Sequence, residues 1–232
     1  MAGKRTGAQG KESRRTGGPA HAVEAPRTES PLSKESIVAA AIELLDEHGV
    51  AGLTMRRLAD RVGAGVMSMY WHVDNKEDVL DLALDAVLAH RGPLQIAESR
   101  DWRGEVVRML EDWRAGMLRH PWSASLLLRR ALGPNILVRL ELLGRTLSSA
   151  GVAAVDLNVA IWSLWNYVMG ATVTRANFDF VDRDGAAARQ RLASLREHYP
   201  TIERSGLLRD DDWEGAFSRG LDFLLDGLVP KR

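Results

Sequence analysis

The residues able to do chemistry crowd between positions 54 and 76. Thr54, Arg56, Ser68, Tyr70, His72 and Lys76 supply hydroxyl, guanidinium, phenol, imidazole and ammonium donors. Among them lies a hinge of small residues, Gly63-Ala64-Gly65, followed by Val66-Met67-Ser68. A set of donors with no nucleophile and base beside it makes a surface that binds acceptors rather than a catalytic centre. The phosphates and base edges of a duplex are such acceptors. Arg56 has the fork that bridges two acceptors on guanine. Val66 and Met67 suit thymine methyls, and Ser68 offers one hydroxyl. Thr54, Tyr70, His72 and Lys76 suit phosphate oxygens. Plainer alternatives stand beside these: Arg56 and Lys76 as solvated surface charges, Tyr70 and Trp71 as core aromatics.

Other chemistries find little footing. With no cysteine, disulfides and thiolate metal sites are excluded, as fits a reducing cytoplasm. The histidines at 21, 48, 72, 90, 120 and 198 never pair at helical spacing. Gly63-x-Gly65-x-x-Ser68 half-matches a dinucleotide fingerprint, but no strand precedes it and the last glycine is missing. No nucleophile elbow or phosphate loop is present. No enzyme, metal or cofactor is expected.

The chain is formally neutral, with 31 basic and 31 acidic residues, yet the charge is uneven. Residues 1–19 hold Lys4, Arg5, Lys11, Arg14 and Arg15 against Glu12 alone. Residues 1–31 have almost no large apolar side chains and read as a disordered basic arm. Arg5, Lys11, Arg14 and Arg15 would track phosphates or enter a minor groove, the alternative being a solubilising tail. No apolar secretory core follows the N-terminus. The uncharged run Leu157–Thr174 approaches membrane-span length but contains Asn158, Ser163, Asn166, Thr172 and Thr174. It reads as a buried helix, and no membrane partner is expected.

From Leu32 onward helical periodicity dominates, so the fold class expected is all-α. Ser33 is placed to cap a first helix, Lys34 to His48, stopped by Gly49. Thr54 caps a second, Met55 to Val62. The third spans Val66 to His72, and Asp74 with Glu77 opens a fourth that runs to His90. Further helices are expected over 102–119, 122–131, 134–150, 155–176, 186–199 and 212–229, with a loop over 179–185. Two short helices joined at a glycine turn, behind a longer supporting helix, can set one helix into a major groove.

The stretch Leu53-Thr54-Met55-Arg56-Arg57-Leu58-Ala59, then Gly63, Met69-Tyr70-Trp71-His72-Val73 and Asn75-Lys76-Glu77, resembles the DNA-binding domain of the tetracycline-repressor family. The resemblance covers about Ser33 to Leu88. It implies base reading at Arg56, a third helix (Gly65 to Ser68 at its start) in the groove, and phosphate contacts from Tyr70, His72 and Lys76. Arg119-His120-Pro121-Trp122, Gly133-Pro134-Asn135 and the run Gly220–Leu228 resemble, more weakly, the C-terminal domain of the same branch. Where that branch places a magnesium-binding histidine, this chain has Gly92, so tetracycline–magnesium is not the expected ligand. The domains expected are the arm (1–31), a helix-turn-helix domain (32–78), and a helical ligand-binding and dimerisation domain (79–232).

Six of the seven tryptophans lie beyond residue 100. Trp113, Met117, Trp165, Asn166 and Met169 are the expected lining of a pocket for a flat apolar effector, with core packing as the alternative. Asn166 is expected to be buried among tryptophans. Trp162, Phe217, Leu221, Leu224, Leu225 and Leu228 are the expected dimer interface; the resemblance implies a four-helix seam. A two-fold dimer would present its reading helices roughly 34–36 Å apart to a palindromic operator. The fourth helix, joining head to body, is the expected transmitter. The function expected is a cytoplasmic homodimeric repressor released by a small aromatic ligand, for example at an efflux or antibiotic-related gene. Alternatives are a regulator without a ligand, and a helical small-molecule-binding protein with no DNA role.

Overall fold

Local signals decide where most helices begin. In the computed structural model, which describes residues 32–90, 101–130, 132–181, 190, 198–205 and 212–228, those residues form helices joined by turns, with no strand among them. Helix α1 covers Lys34–Gly52. Ser33 and Ser36 cap it reciprocally: the Ser36 N–H donates to Ser33 Oγ at 3.1 Å, and the Ser33 N–H donates to Ser36 Oγ at 3.0 Å. Gly49 breaks its regularity at φ 65°, where the sequence places the stop, and a last turn follows.

Helix α2 covers Met55–Val62, and Thr54 Oγ1 accepts from the Arg57 N–H at 3.2 Å. Gly63 then takes the left-handed conformation, φ 70° and ψ 26°, which reverses the chain. Helix α3 is only Val66–Met69, shorter than the expected Val66–His72. The chain tightens instead into turns, with the His72 and Val73 N–H groups both donating to the Met69 carbonyl.

Helix α4 covers Lys76–Val87, and its cap is Asn75 rather than the expected Asp74–Glu77 pair. Asn75 Oδ1 accepts from the N–H groups of Glu77 and Asp78 at 2.8 and 3.0 Å. Asp78 supplies the return bond, accepting from the Asp74 N–H at 3.1 Å. The asparagine wins because it stands one residue nearer the first helical turn.

The body consists of α5 (Trp102–Arg119), α6 (Pro121–Leu127), α7 (Pro134–Ser149), α8 (Ala154–Val181), α9 (Pro200–Ser205) and α10 (Trp213–Leu228). Pro121, Pro134 and Pro200 each occupy a first helical position, where a missing N–H costs nothing. Pro200 thus starts a helix between the expected 186–199 and 212–229 helices. Helix α6 ends at Leu127, short of the expected 131. Helix α8 runs on to Val181, through the beginning of the expected 179–185 loop. The arm and most of the expected 186–199 helix lie outside the described residues.

One continuous apolar core runs from Ile37 in α1 to Leu225 in α10. Polar ties join the helix-turn-helix to the body. Asp46 of α1 accepts from Trp122 Nε1 at 2.7 Å and pairs with His120 Nδ1 at 2.9 Å. Arg130 bonds Glu77 and Asp81 of α4. Asn135, on the first turn of α7, donates from its N–H and its Nδ2 to the Asp85 carboxylate, both at 2.9 Å. None of the described helices is long and apolar enough to cross a membrane.

Candidate nucleic-acid interface and effector cleft

Three arginines on α2 show how the reading face is composed. Arg57 Nη1 donates to the Gly52 carbonyl at 3.1 Å. Arg61 bonds Glu43 and Glu47 of α1, at 3.0 and 2.6 Å, and holds the Glu47 carboxyl below its ordinary value. Arg56 is exposed, and no described residue pairs with it. Two arginines therefore fasten α2, while the third presents a guanidinium outward.

Helix α3 is anchored by Met69, fully buried, with Val66 half-buried and Val73 buried on the same side. The opposite side presents Gly65, Met67, Ser68 and Tyr70, all exposed. Trp71 is 88% exposed and belongs to this outward face, which removes the core alternative for it. Tyr70, at 44%, is likewise outside the core. Trp71 lies two residues beyond the buried Met69, so the turn carries it to the far side; that phase was its signal in the sequence.

Thr54 and His72 flank the face, exposed and half-buried respectively. Lys76 is also half-buried, and its Nζ donates to the Val50 carbonyl at 3.2 Å. It therefore ties the start of α4 to the end of α1, a role its charge alone does not announce. Arg5, Lys11, Arg14 and Arg15 lie outside the described residues.

In the body, Trp113, Trp165 and Trp162 form an edge-to-face series, with ring centroids 4.7 and 5.9 Å apart. Met117 and Met169 are buried near it in the core. Asn166 departs from expectation: it is exposed, on the outer side of α8, because it directly follows the buried Trp165 and the helix turns by about 100° per residue. A small cleft, with a free volume of about 10 Å³, is lined by His90, Met109, Leu110, Trp113, Arg139 and Leu143. Of the five expected lining residues only Trp113 reaches it. Arg139 was missed, because an arginine on an amphipathic helix reads as solvated. It is 6% exposed here.

The expected dimer residues also divide. Phe217, Leu221 and Leu225 are buried in the protomer's own core, a correction. Phe217 stacks on Tyr167 at 5.3 Å, under the Arg114 guanidinium. Leu224 and Leu228 are half-buried. Trp162 is exposed, as an interface residue must be in a lone protomer, and it shares the outer side of α8 with Val155 and Val159. On α10 the exposed aromatic is Phe223, at 71%, which the leucine stripe hid from view.

Two family models match this chain. Bacterial regulatory proteins of the tetR family match residues 37–83, and the tetracycline repressor-like C-terminal domain matches residues 96–231. The chain belongs to the tetracycline-repressor family of transcriptional regulators. The family's members are DNA-binding regulators rather than enzymes. An HTH-type transcriptional regulator of Saccharopolyspora erythraea is 38% identical over 88% of this chain and 87% of its own length. Among solved structures of the family, ActR of Streptomyces coelicolor in complex with actinorhodin is 28% identical, with a TM-score of 0.76 over 86% of this chain and 96% of its own. BioQ bound to its natural double-stranded DNA operator is 29% identical, with a TM-score of 0.57 over 86% of this chain and 99% of its own.

Proposed function

We propose that this regulator is a cytoplasmic homodimeric repressor that reads a palindromic operator and leaves it when a small aromatic ligand occupies the body. The observation that carries the DNA-reading part is the state of α2 and α3. Arg57 and Arg61 are engaged within the fold, Arg56 is not, and the exposed side of α3 stands beside it. In this reading Arg56 grips a guanine, while Gly65, Met67 and Ser68 meet base edges; Val66, expected among them, is turned toward the core instead. Thr54, Tyr70, His72 and Lys76 meet phosphates, and Arg5, Lys11, Arg14 and Arg15 of the arm add further phosphate contacts.

Dimerisation is supported by the exposed apolar sides of α8 and α10, where Val155, Val159, Trp162 and Phe223 would meet their counterparts. An effector is supported by the aromatic series and the cleft beside it. The ActR complex with actinorhodin and the BioQ complex with its operator show two relatives of this fold holding those two classes of partner.

The test is a binding site selected from random duplexes with the wild-type protein, then measured with Arg56→Ala. Loss of a bidentate base contact of about 1–3 kcal/mol predicts roughly tenfold to hundredfold weaker binding and a relaxed preference at one base pair per half-site. Unchanged affinity and preference would remove Arg56 from the reading face.

A further inference from the structure

The cleft in the body is built around two buried polar groups. Trp113 is 2% exposed, and its indole Nε1 has no hydrogen-bond partner among the described residues. A buried donor left unpaired is costly, and native proteins rarely keep one without a use. Arg139, 6% exposed, lines the same cleft, with its guanidinium carbon 5.9 Å from the centre of a Trp113 ring. Arg139 also closes the end of α4. Its Nε donates to the Leu88 carbonyl at 2.6 Å and its Nη2 to the Ala89 carbonyl at 2.9 Å, while Asp112 of α5 accepts from Nη2 at 3.0 Å. These are carbonyls at a helix C-terminus, which lack partners inside the helix and favour a cation.

The free volume of the cleft, about 10 Å³, is room for no more than about one water and lies far below the ~300–1,000 Å³ usual for small-molecule sites. An occupant of ordinary size must therefore displace something; Met109 and Arg139 are the long side chains at the wall, and Arg139 is the one whose bonds a ligand oxygen can replace.

We propose that this cleft binds the anionic oxygen of an aromatic acid, held by the Trp113 N–H and the Arg139 guanidinium, and that the ligand acts by drawing Arg139 away from the carbonyls of Leu88 and Ala89. Met109, Leu110 and Leu143 cover the ring. Helix α4 carries the reading head, so a ligand that competes for its terminal clasp has a differential affinity for the two states of that helix. The proposal rests on the effector-responsive reading above, and it adds the ligand's charge and the residue it acts through.

The experiment titrates the full chain with 2-naphthoate and with uncharged 2-methylnaphthalene, following tryptophan fluorescence, and repeats both with Trp113→Phe and Arg139→Lys. Operator affinity is measured with and without 2-naphthoate. The expected result is 2-naphthoate binding at about 1 mM or tighter, at least roughly tenfold better than 2-methylnaphthalene. Each variant weakens 2-naphthoate by about tenfold or more and leaves 2-methylnaphthalene nearly unchanged. Bound 2-naphthoate lowers operator affinity in the wild type. Trp113→Phe keeps an aromatic ring but removes the N–H together with the five-membered half of the indole; unchanged 2-methylnaphthalene binding controls for the lost volume, so this variant decides the matter if Arg139→Lys disturbs folding. No binding of 2-naphthoate, or equal binding of the two compounds, overturns the proposal. So does discrimination that survives Trp113→Phe, or binding that leaves the operator complex intact. Failure of the ligand-free wild type to bind a selected operator would instead sink the repressor reading, and the two failures are separate observations.

Discussion

A residue's type shows which bonds it can make, and its neighbours decide which ones it does make. Arg56 was legible in the sequence as a donor for a base edge. Its isolation was not, because that depends on Arg57 finding the Gly52 carbonyl and Arg61 finding Glu43 and Glu47. Lys76 shows the converse, since its bond to Val50 crosses 26 positions of chain. Asn75 makes a clean test of a local assignment. Asn75→Ala should destabilise the fold by about 1 kcal/mol, whereas Asp74→Ala, which removes no capping acceptor, should cost less; denaturant midpoints order the two. Tyr167 tests a tertiary one. Its hydroxyl donates to the Phe217 carbonyl at 2.8 Å, joining α8 to α10, and burial raises its pKa. A raised folded pKa means the contribution is whole below the unfolded value of about 10 and fades as pH climbs through the folded one. Alkaline titration followed by tyrosinate absorbance should show a late component that Tyr167→Phe removes, and the variant's stability should vary less with pH in that range.

Helices declare themselves at their starts more plainly than at their ends. Ser33, Thr54 and Pro134 mark beginnings within a residue, because a cap or a first-turn proline acts locally. Ends are less plain: α3 stops where Met69 must turn into the core, and α8 persists through residues whose composition suggests a loop. Contacts between helices were the least legible, and α4 shows why. It is held at Glu77 and Asp81 by Arg130, at Asp85 by Asn135, and at its terminal carbonyls by Arg139, all from residues far along the chain. Nothing in their local pattern points at α4. Gly133 belongs to this joint, because a Cβ there would collide with the Asp85 carboxylate. Gly133→Ala should therefore lower stability by about 1–3 kcal/mol through loss of the Asp85–Asn135 bonds. Asp85→Ala removes the same bonds, so the double variant should cost much less than the two single costs added together. Simple additivity in thermal unfolding would mean the glycine acts elsewhere.

At the scale of the whole molecule, the protomer leaves apolar surface on one side of α8 and α10 that its own core does not use. The sequence showed that these helices carry more apolar residues than one core needs. It did not show which of them face outward, since Phe217, Leu221 and Leu225 are claimed by the core while Phe223 is not. If this surface is the dimer seam, Phe223→Glu leaves the protomer folded and weakens self-association at least roughly tenfold, because burying a Phe side chain contributes about 1.5–3 kcal/mol and a buried unpaired charge opposes it. Sedimentation equilibrium reads the outcome directly, and an undiminished dimer would place the seam elsewhere.

The most direct measurement of the central claim is fluorescence anisotropy of the duplex upstream of the protein's own gene, at physiological salt, against a scrambled duplex of equal length. The account predicts saturation at two chains per site, a strong preference for the native duplex, and loss of that preference in Arg56→Ala with the fold intact. Equal binding of native and scrambled duplex by the wild type, or saturation by a single chain, would contradict it.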